Sequence, residues 1–207
     1  MHSTKPGMII PFSSILLIFM LLISSLAMSQ HSNETLKMIH SRTSIRHFAD
    51  KAVNDQQVET LLRAAMAAPS ARNVQPWVFY VIKDRQLLKR LADELPSARM
   101  LAQAPLAIVV CGDSHLGNPN QEQVLNWVMD CSAATQNLLL AATSIGLGAV
   151  WTGVHPYTDR IATLRKALNL PLHIIPLNII PVGYPDANPQ PKEKWDPAKV
   201  VIIKPEL

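Results

Sequence analysis

The stretch from Gln121 to Ile145 constrains the fold more than any other part of the chain. It is rich in Ala and Leu, and no charged residue follows Asp130 within it. A helix with this pattern has almost no solvated face, so it must be buried on most sides, in a large core or at a subunit interface. Gly146-Leu147-Gly148 stops it, and Ala149-Val150-Trp151-Thr152 resumes as a strand. A chain of 207 residues with 48% hydrophobic side chains has the material to build such a core in one domain.

The rest of the chain alternates helix and strand around this element. Glu34 to Ser41 reads as a short helix and Asp55 to Ala68 as a better one, capped by Asn54 or Asp55, with Val58, Leu61, Leu62 and Ala65 on one face. Trp77 to Ile82 is aromatic and β-branched, hence a strand. Asp84 starts a helix through about Leu95, and Ser97 to Ala104 is a short helical piece ending before Pro105. Leu106 to Cys111 is a continuous apolar run of strand length, which implies burial on both faces. Tyr157 to Asn169 is amphipathic. Ile174 to Val182 is a strand carrying Pro176 and Pro181, so it is bent or lies at an edge. Asp186 to Pro197 is a Pro- and Lys-rich loop, and Val200 to Ile203 is a terminal strand with no partner nearby in sequence. The pattern predicts an α+β fold with a central mixed, largely antiparallel sheet flanked by helices.

The first thirty residues stand apart. After Lys5 an apolar run extends through Ile23, and no charge returns until Glu34. Small residues at Ser25-Leu26-Ala27 match what a signal peptidase reads. Residues 1–30 therefore read as a signal peptide or an uncleaved membrane anchor, and 31–207 as the folded domain. The protein is then exported to the periplasm or membrane-anchored by this segment, and cytoplasmic if the segment is not used.

Composition and motifs exclude several classes. A net charge of +4 without a Lys/Arg run argues against a nucleic-acid binder. Two cysteines make neither a disulfide framework nor a Cys-rich zinc site. Cys111 on a buried strand and Cys131 on a buried helix read as inert thiols. No Gly-x-Ser-x-Gly elbow and no Walker loop occur. None of the seven histidines has metal-ligand spacing along the chain, so no metal is expected. With no nucleophile and no acid–base pair in view, a cofactor must carry any chemistry.

Three clusters suit one planar, anionic cofactor. In Arg42-Thr43-Ser44-Ile45-Arg46, two guanidinium groups flank hydroxyls and can clasp a phosphate or a polar heterocycle, although alone the motif is a solvated basic patch. Pro69-Ser70-Ala71-Arg72-Asn73-Val74-Gln75-Pro76-Trp77 is a polar loop pinned by prolines, with Ser70 also able to cap local backbone. Gly146 to Gly153 offers small residues for close approach of a flat ligand, and Trp151 adds an aromatic wall.

In this order, over about Leu36 to Pro205, these clusters resemble the nitroreductase family of FMN-dependent oxidoreductases. Pro181-Val182-Gly183-Tyr184-Pro185, followed by basic residues, agrees. The resemblance implies that Arg42, Thr43, Ser44 and Arg46 hold the FMN phosphate, ribityl chain or pyrimidine edge. It implies that Pro69, Ser70, Ala71 and Asn73 contact the flavin from a partner subunit, with Gln75 in support, and that backbone at Trp151, Thr152 and Gly153 lies near the reactive nitrogen. Some members carry Glu where Thr152 stands, and many place an Arg where this chain offers Lys192 and Lys194. Arg99, Met100 and Trp151 are the candidate substrate contacts. The implied assembly is an intertwined homodimer with exchanged C-terminal arms, and the terminal strand and the long apolar helix independently ask for such cover.

The function implied is hydride transfer from NADH or NADPH through tightly bound FMN to a nitroaromatic, quinone or similar electron-poor acceptor, by a ping-pong mechanism. The alternatives are a flavin-binding sensor or store without turnover, favoured by export because NAD(P)H is scarce outside the cytoplasm, and a family variant with another reductive reaction such as dehalogenation.

Overall fold

The computed structural model describes residues 34–116 and 125–205. Its contacts divide the chain into two units, Met1–His40 and Ser41–Leu207. In the first unit, residues 34–40 are helical. The apolar stretch read as a signal peptide or anchor lies outside the described residues. Among those described, no helix is long and apolar enough to cross a membrane.

Among its described residues, the second unit is built on five strands: β1 (Trp77–Ile82), β2 (Leu106–Asp113), β3 (Gly148–Ala149), β4 (Thr152–Gly153) and β5 (Ile174–Gly183). They run in the order β1-β2-β5-β3, with β4 also on β5, and all four pairings are antiparallel. The helices are α1 (Asp55–Met66), α2 (Arg85–Glu94), α3 (Asn126–Ser144) and α4 (Thr158–Leu168). Each helix has a local cause. Asn54 caps α1 in a reciprocal box with Gln57, and Asp84 caps α2 through the amides of Gln86 and Leu87. Gly146, at φ 76°, ends α3 by letting Leu147 N–H reach back to Ala142 O at 2.8 Å. Asn169, left-handed at φ 52°, ends α4 one residue before the predicted stop.

The sheet is covered on both faces, which is why β2 reads as unbroken apolar sequence. Leu106, Ile108 and Val110 pack with Leu61 and Ala65 of α1 and Cys131, Leu138 and Ala142 of α3. The alternate residues Ala107, Val109 and Cys111 pack on the other face with Leu88, Leu91, Leu101 and Leu164. Fully burying one such side chain contributes about 1.5–3 kcal/mol.

Three expectations need correction. Of the two readings open for the proline-bearing β5, bent or at an edge, the edge is excluded: the strand is central, with β2 along one side and β3 and β4 along the other. The ladder accommodates the missing N–H groups by irregularity. Register shifts between Val110 and Cys111, leaving Leu177 without a counterpart near Pro176, and the β3/β4 side breaks opposite Ile180 and Pro181. The freed Leu177 carbonyl accepts from both Val154 and His155 N–H at 3.0 Å. Next, the strand expected over Ala149–Thr152 is two short pieces, with Val150 and Trp151 between them. Last, Val200–Ile203 forms no strand within the chain; it follows a single 3₁₀ turn at Pro197–Lys199 and lies exposed. The start of the long helix predicted at Gln121 falls among residues that are not described, and the described helix begins at Asn126.

Candidate functional site

The first and third clusters meet. Ile45 N–H donates to Ala149 O at 3.1 Å, tying the Arg42–Arg46 segment to β3. This approach requires Gly148, because a Cβ there would lie 2.6 Å from Ile45 Cβ. The chain leaving β5 closes the same place: Phe48 bridges Pro185, and Asp186 N–H donates to His47 O at 3.1 Å. Between these segments lies a cleft of about 410 Å³, lined by Ser44, Ile45, Arg46 and His47 on one side and Ala187, Asn188 and Pro189 on the other.

The side chains here suit an anion. Arg42, Thr43 and Ser44 are half-buried and Arg46 is exposed. Among the described residues, neither guanidinium takes part in an ion pair. Met100 packs against the buried trio of Ile45, Phe48 and Ala104, so the 3₁₀ segment Pro96–Ala102 carries it to this end of the molecule. Arg99 beside it is exposed. Trp151 is 38% exposed between strands whose neighbours Val150 and Thr152 are buried. Lys192 and Lys194 do not line the cleft; they sit farther along the exposed loop, where Glu193 accepts the Lys194 N–H at 2.8 Å.

The second cluster is elsewhere. Its loop is held by Asp130, whose Oδ1 accepts Ala71 N–H at 3.0 Å, and by Ser70 Oγ, which accepts Gln75 N–H at 3.0 Å. The Gln75 amide donates to Asn73 Oδ1 at 2.8 Å. Arg72, Asn73 and Gln75 all have positive φ, between 53° and 57°. Such backbone persists only where its surroundings fix it. Asp130 is in the second turn of α3, whereas Arg42–Arg46 and Gly148–Ala149 meet beyond its last turn. The helical rise from Asp130 to Ser144 is about 21 Å. One chain therefore presents Pro69–Gln75 near the start of α3 and Arg42–Arg46 with Gly148–Ala149 beyond its end. The chain through Thr152–Gly153 runs back along the helix, with Gly153 opposite Asn178, whose Nδ2 reaches Thr135, and with His155 on Trp127.

Sequence reasoning missed three supporting residues. Asp130, 7% exposed, is the charge that precedes the uncharged run, and that isolation was its signal. Asn178 is the polar residue within β5, opposite Gly153. Its Nδ2 donates to Thr135 Oγ1 at 3.0 Å, and its buried Oδ1 has no partner among the described residues. Arg160 donates to Gly153 O at 2.8 Å and carries no sequence signal, because its partner is backbone. Burial pushes the Cys111 and Cys131 thiols up to about 12, so at neutral pH both are protonated, as expected of inert groups.

Comparison with known proteins places the chain in a family. The family model described as "Nitroreductase family" matches residues 39–98 and 94–184. A protein from Methanothermobacter thermautotrophicus named "Putative NADH dehydrogenase/NAD(P)H nitroreductase" is 42% identical over 172 residues, 83% of this chain and 87% of its own length. The crystal structure of a protein with the same name from Parabacteroides distasonis is 49% identical and superposes with a TM-score of 0.76 over 82% of this chain and 97% of that one. The NADPH:FMN oxidoreductase of Vibrio harveyi, solved in complex with NAD+, is 28% identical with a TM-score of 0.72, covering 84% of this chain and 78% of that one. The chain belongs to the nitroreductase family, and its activity is NAD(P)H-dependent, flavin-based oxidoreduction.

Proposed function

We propose that the chain binds FMN tightly in a homodimer and uses it to pass electrons from NAD(P)H to a nitroaromatic, quinone or similar electron-poor acceptor. The observation that carries this reading is the junction of Arg42–Arg46 with Gly148–Gly153 through the Ile45–Ala149 hydrogen bond. Two cations without carboxylate partners among the described residues, two hydroxyls and a strand of small residues fit a phosphorylated, flat group. The Vibrio harveyi relative, an NADPH:FMN oxidoreductase solved with NAD+, supports the same pairing of flavin and nicotinamide.

When bound, FMN supplies two-electron hydride chemistry. The residues of this chain bind and orient. Arg42 and Arg46 bind the phosphate or the pyrimidine edge, and Thr43 and Ser44 donate to it. Trp151, Thr152 and Gly153 present backbone beside the isoalloxazine, and Arg160 keeps the Gly153 carbonyl in place. Lys192 and Lys194 add positive charge from the late loop. Pro69, Ser70, Ala71, Asn73 and Gln75 come from a second copy, because α3 separates them from the first cluster within one chain. The exposed Val200–Ile203 arm reaches across to that copy. Trp151, Met100 and Arg99 border the face where donor and acceptor alternate, which gives ping-pong kinetics. Residues 1–30 direct export or anchoring, and 31–207 form the flavin domain.

Purified protein is expected to be yellow, with one FMN per subunit, and to bleach when NADH is added anaerobically. A colourless protein that takes up no added FMN overturns the reading. A yellow protein that NADH does not bleach favours the flavin-binding sensor instead.

A further inference from the structure

The histidines show no metal-ligand spacing along the chain, but the fold creates such a cluster in space. Asp113 is the last residue of β2, and its partner in the ladder is Ile174, the first residue of β5. His173 precedes that partner, and His115 lies two residues beyond Asp113. One ligand atom from each of Asp113, His115 and His173 comes within 4.8 Å of the other two. From the geometry we infer that these three side chains bind one late first-row divalent cation, of the Zn²⁺ class, with the remaining coordination open to water.

The chemistry selects the ion. Two neutral imidazoles and one carboxylate suit Zn²⁺, Ni²⁺ or Cu²⁺ and offer too few oxygens for Ca²⁺ or Mg²⁺. Bonds of about 2.0–2.2 Å in a tetrahedral site place ligand atoms roughly 3.3 Å apart. The cluster is thus open by about 1.5 Å at most. The imidazoles stack with centroids 4.3 Å apart and planes 11° from parallel, so binding requires both rings to rotate out of the stack until their in-plane lone pairs converge on the ion. His115 is exposed and Asp113 and His173 are half-buried, so rotation meets little resistance and the ion can reach the site from solvent.

The backbone beneath the cluster is already fixed. His115 N–H donates to Asp113 Oδ1 at 2.9 Å. Both the N–H and the hydroxyl of Ser114 donate to His173 O, at 2.9 and 3.1 Å. Arg165 donates to the carbonyls of Leu170, Pro171 and Leu172, holding the turn that delivers His173. An ion would therefore cross-link the end of β2 to the start of β5. It would do so at the opposite end of β5 from the Arg42–Arg46 cleft, about 30 Å along the strand. The cluster shares no residue with the flavin machinery, and the inference stands whether or not FMN binds.

The test is equilibrium dialysis of full-length, untagged protein against Zn²⁺, with metal analysis of both sides, alongside thermal melts. The expected result is saturation at one Zn²⁺ per chain, absent in His173→Gln and His115→Gln and weakened at least tenfold in Asp113→Asn. At zinc 100-fold above the wild-type dissociation constant, the melting temperature should rise by roughly 5–10 °C in the wild type, by about half of that or less in Asp113→Asn, and not in the two histidine variants. The variants alter half-exposed or exposed side chains, and their melts without zinc report whether they fold as the wild type does. Absence of saturable binding, or the same stoichiometry in wild type and both histidine variants, overturns the assignment.

Discussion

The two ends of α3 are built differently. Beyond its C-terminal end, Arg42–Arg46 pairs with Gly148–Ala149 and packs on Met100 beside a cleft closed by Ala187–Pro189, and the cations have no carboxylate partners among the described residues. At its N-terminal end, the Pro69–Gln75 loop places three residues without glycine's freedom at positive φ and holds them by the Asp130 carboxylate and the Ser70 hydroxyl. Each such residue costs on the order of 1 kcal/mol or more, so the loop's shape is held by its contacts rather than by intrinsic preference. The first end offers charge and the second offers fixed geometry. The proposed flavin site needs both, and the stretch of α3 from Asp130 to Ser144, about 21 Å of helix, lies between them. Two antiparallel copies related by a two-fold axis can place one end of each chain against the opposite end of the other.

The largest expected effect comes from removing the segment proposed to join the copies. Val201, Ile202 and Ile203 are 82%, 74% and 87% exposed, so the described residues of their own chain leave them largely uncovered. Burying each is worth about 1.5–3 kcal/mol. Deleting residues 200–207 should weaken dimerisation by at least about 1,000-fold and release FMN with it. Sedimentation at micromolar protein should then show monomer. A core change makes the control. Ile180→Ala, at a fully buried position of β5, should lower the melting temperature without making it strongly dependent on protein concentration. A truncated chain that stays dimeric and yellow rules out the arm as the link between copies.

How much of this could be read beforehand follows the same division. Strands β1 and β2, a cap at Asn54 or Asp55, a helix start at Asp84 and the burial of α3 were legible, because each rests on local pattern or on continuous apolar sequence. The central place of β5 was not legible. Pro176 and Pro181 argue for an edge by a local rule, and only the register shift opposite Val110–Cys111 reconciles them with a partner on each side. The Arg42–Arg46 and Gly148–Gly153 clusters were legible as motifs. Their joining by Ile45 and Ala149, and their separation from Pro69–Gln75, depend on long-range packing that no spacing encodes. Asp130 and Arg160 act on backbone amides and carbonyls, whose positions exist only after folding. The Asp113–His115–His173 cluster escaped for the same reason, since the β2–β5 ladder brings together residues far apart in sequence.

The next effect in size tests the charged end. Arg42→Ala should raise the FMN dissociation constant by about 10- to 150-fold, the equivalent of roughly 1.5–3 kcal/mol for hydrogen bonds to a charged group. Titration followed by flavin fluorescence measures it. The proposed division of labour between chains sharpens the test. A second variant with Asp130→Ala should damage the loop end. Mixing the two after reversible unfolding produces heterodimers that each contain one site with an intact Arg42 and an intact loop. Such heterodimers should regain near-native affinity at about half the sites, provided that the two ends serve one flavin from different chains. If Arg42 and its own loop served the same flavin, every site in the mixture would carry a defect, and no recovery would appear.

The smallest effect belongs to Thr152, which lies between the two ends in function. It is 6% exposed, and its backbone pairs with Ile179 in the β4–β5 ladder. Its proposed contribution is the placement of backbone beside the flavin, and Ala keeps that backbone in the same ladder. Thr152→Ala should therefore change turnover by less than about tenfold, an activation difference below roughly 1.4 kcal/mol. The kinetic pattern carries more information than the rate. If donor and acceptor use one face in turn, double-reciprocal plots with both substrates varied should stay parallel in wild type and variant alike. Intersecting lines in the wild type would mean that both substrates bind together, and the shared face bounded by Trp151 and Met100 would have to be given up. A loss of turnover well beyond tenfold in Thr152→Ala, with FMN still bound, would assign the chemistry to the hydroxyl rather than to the backbone that carries it.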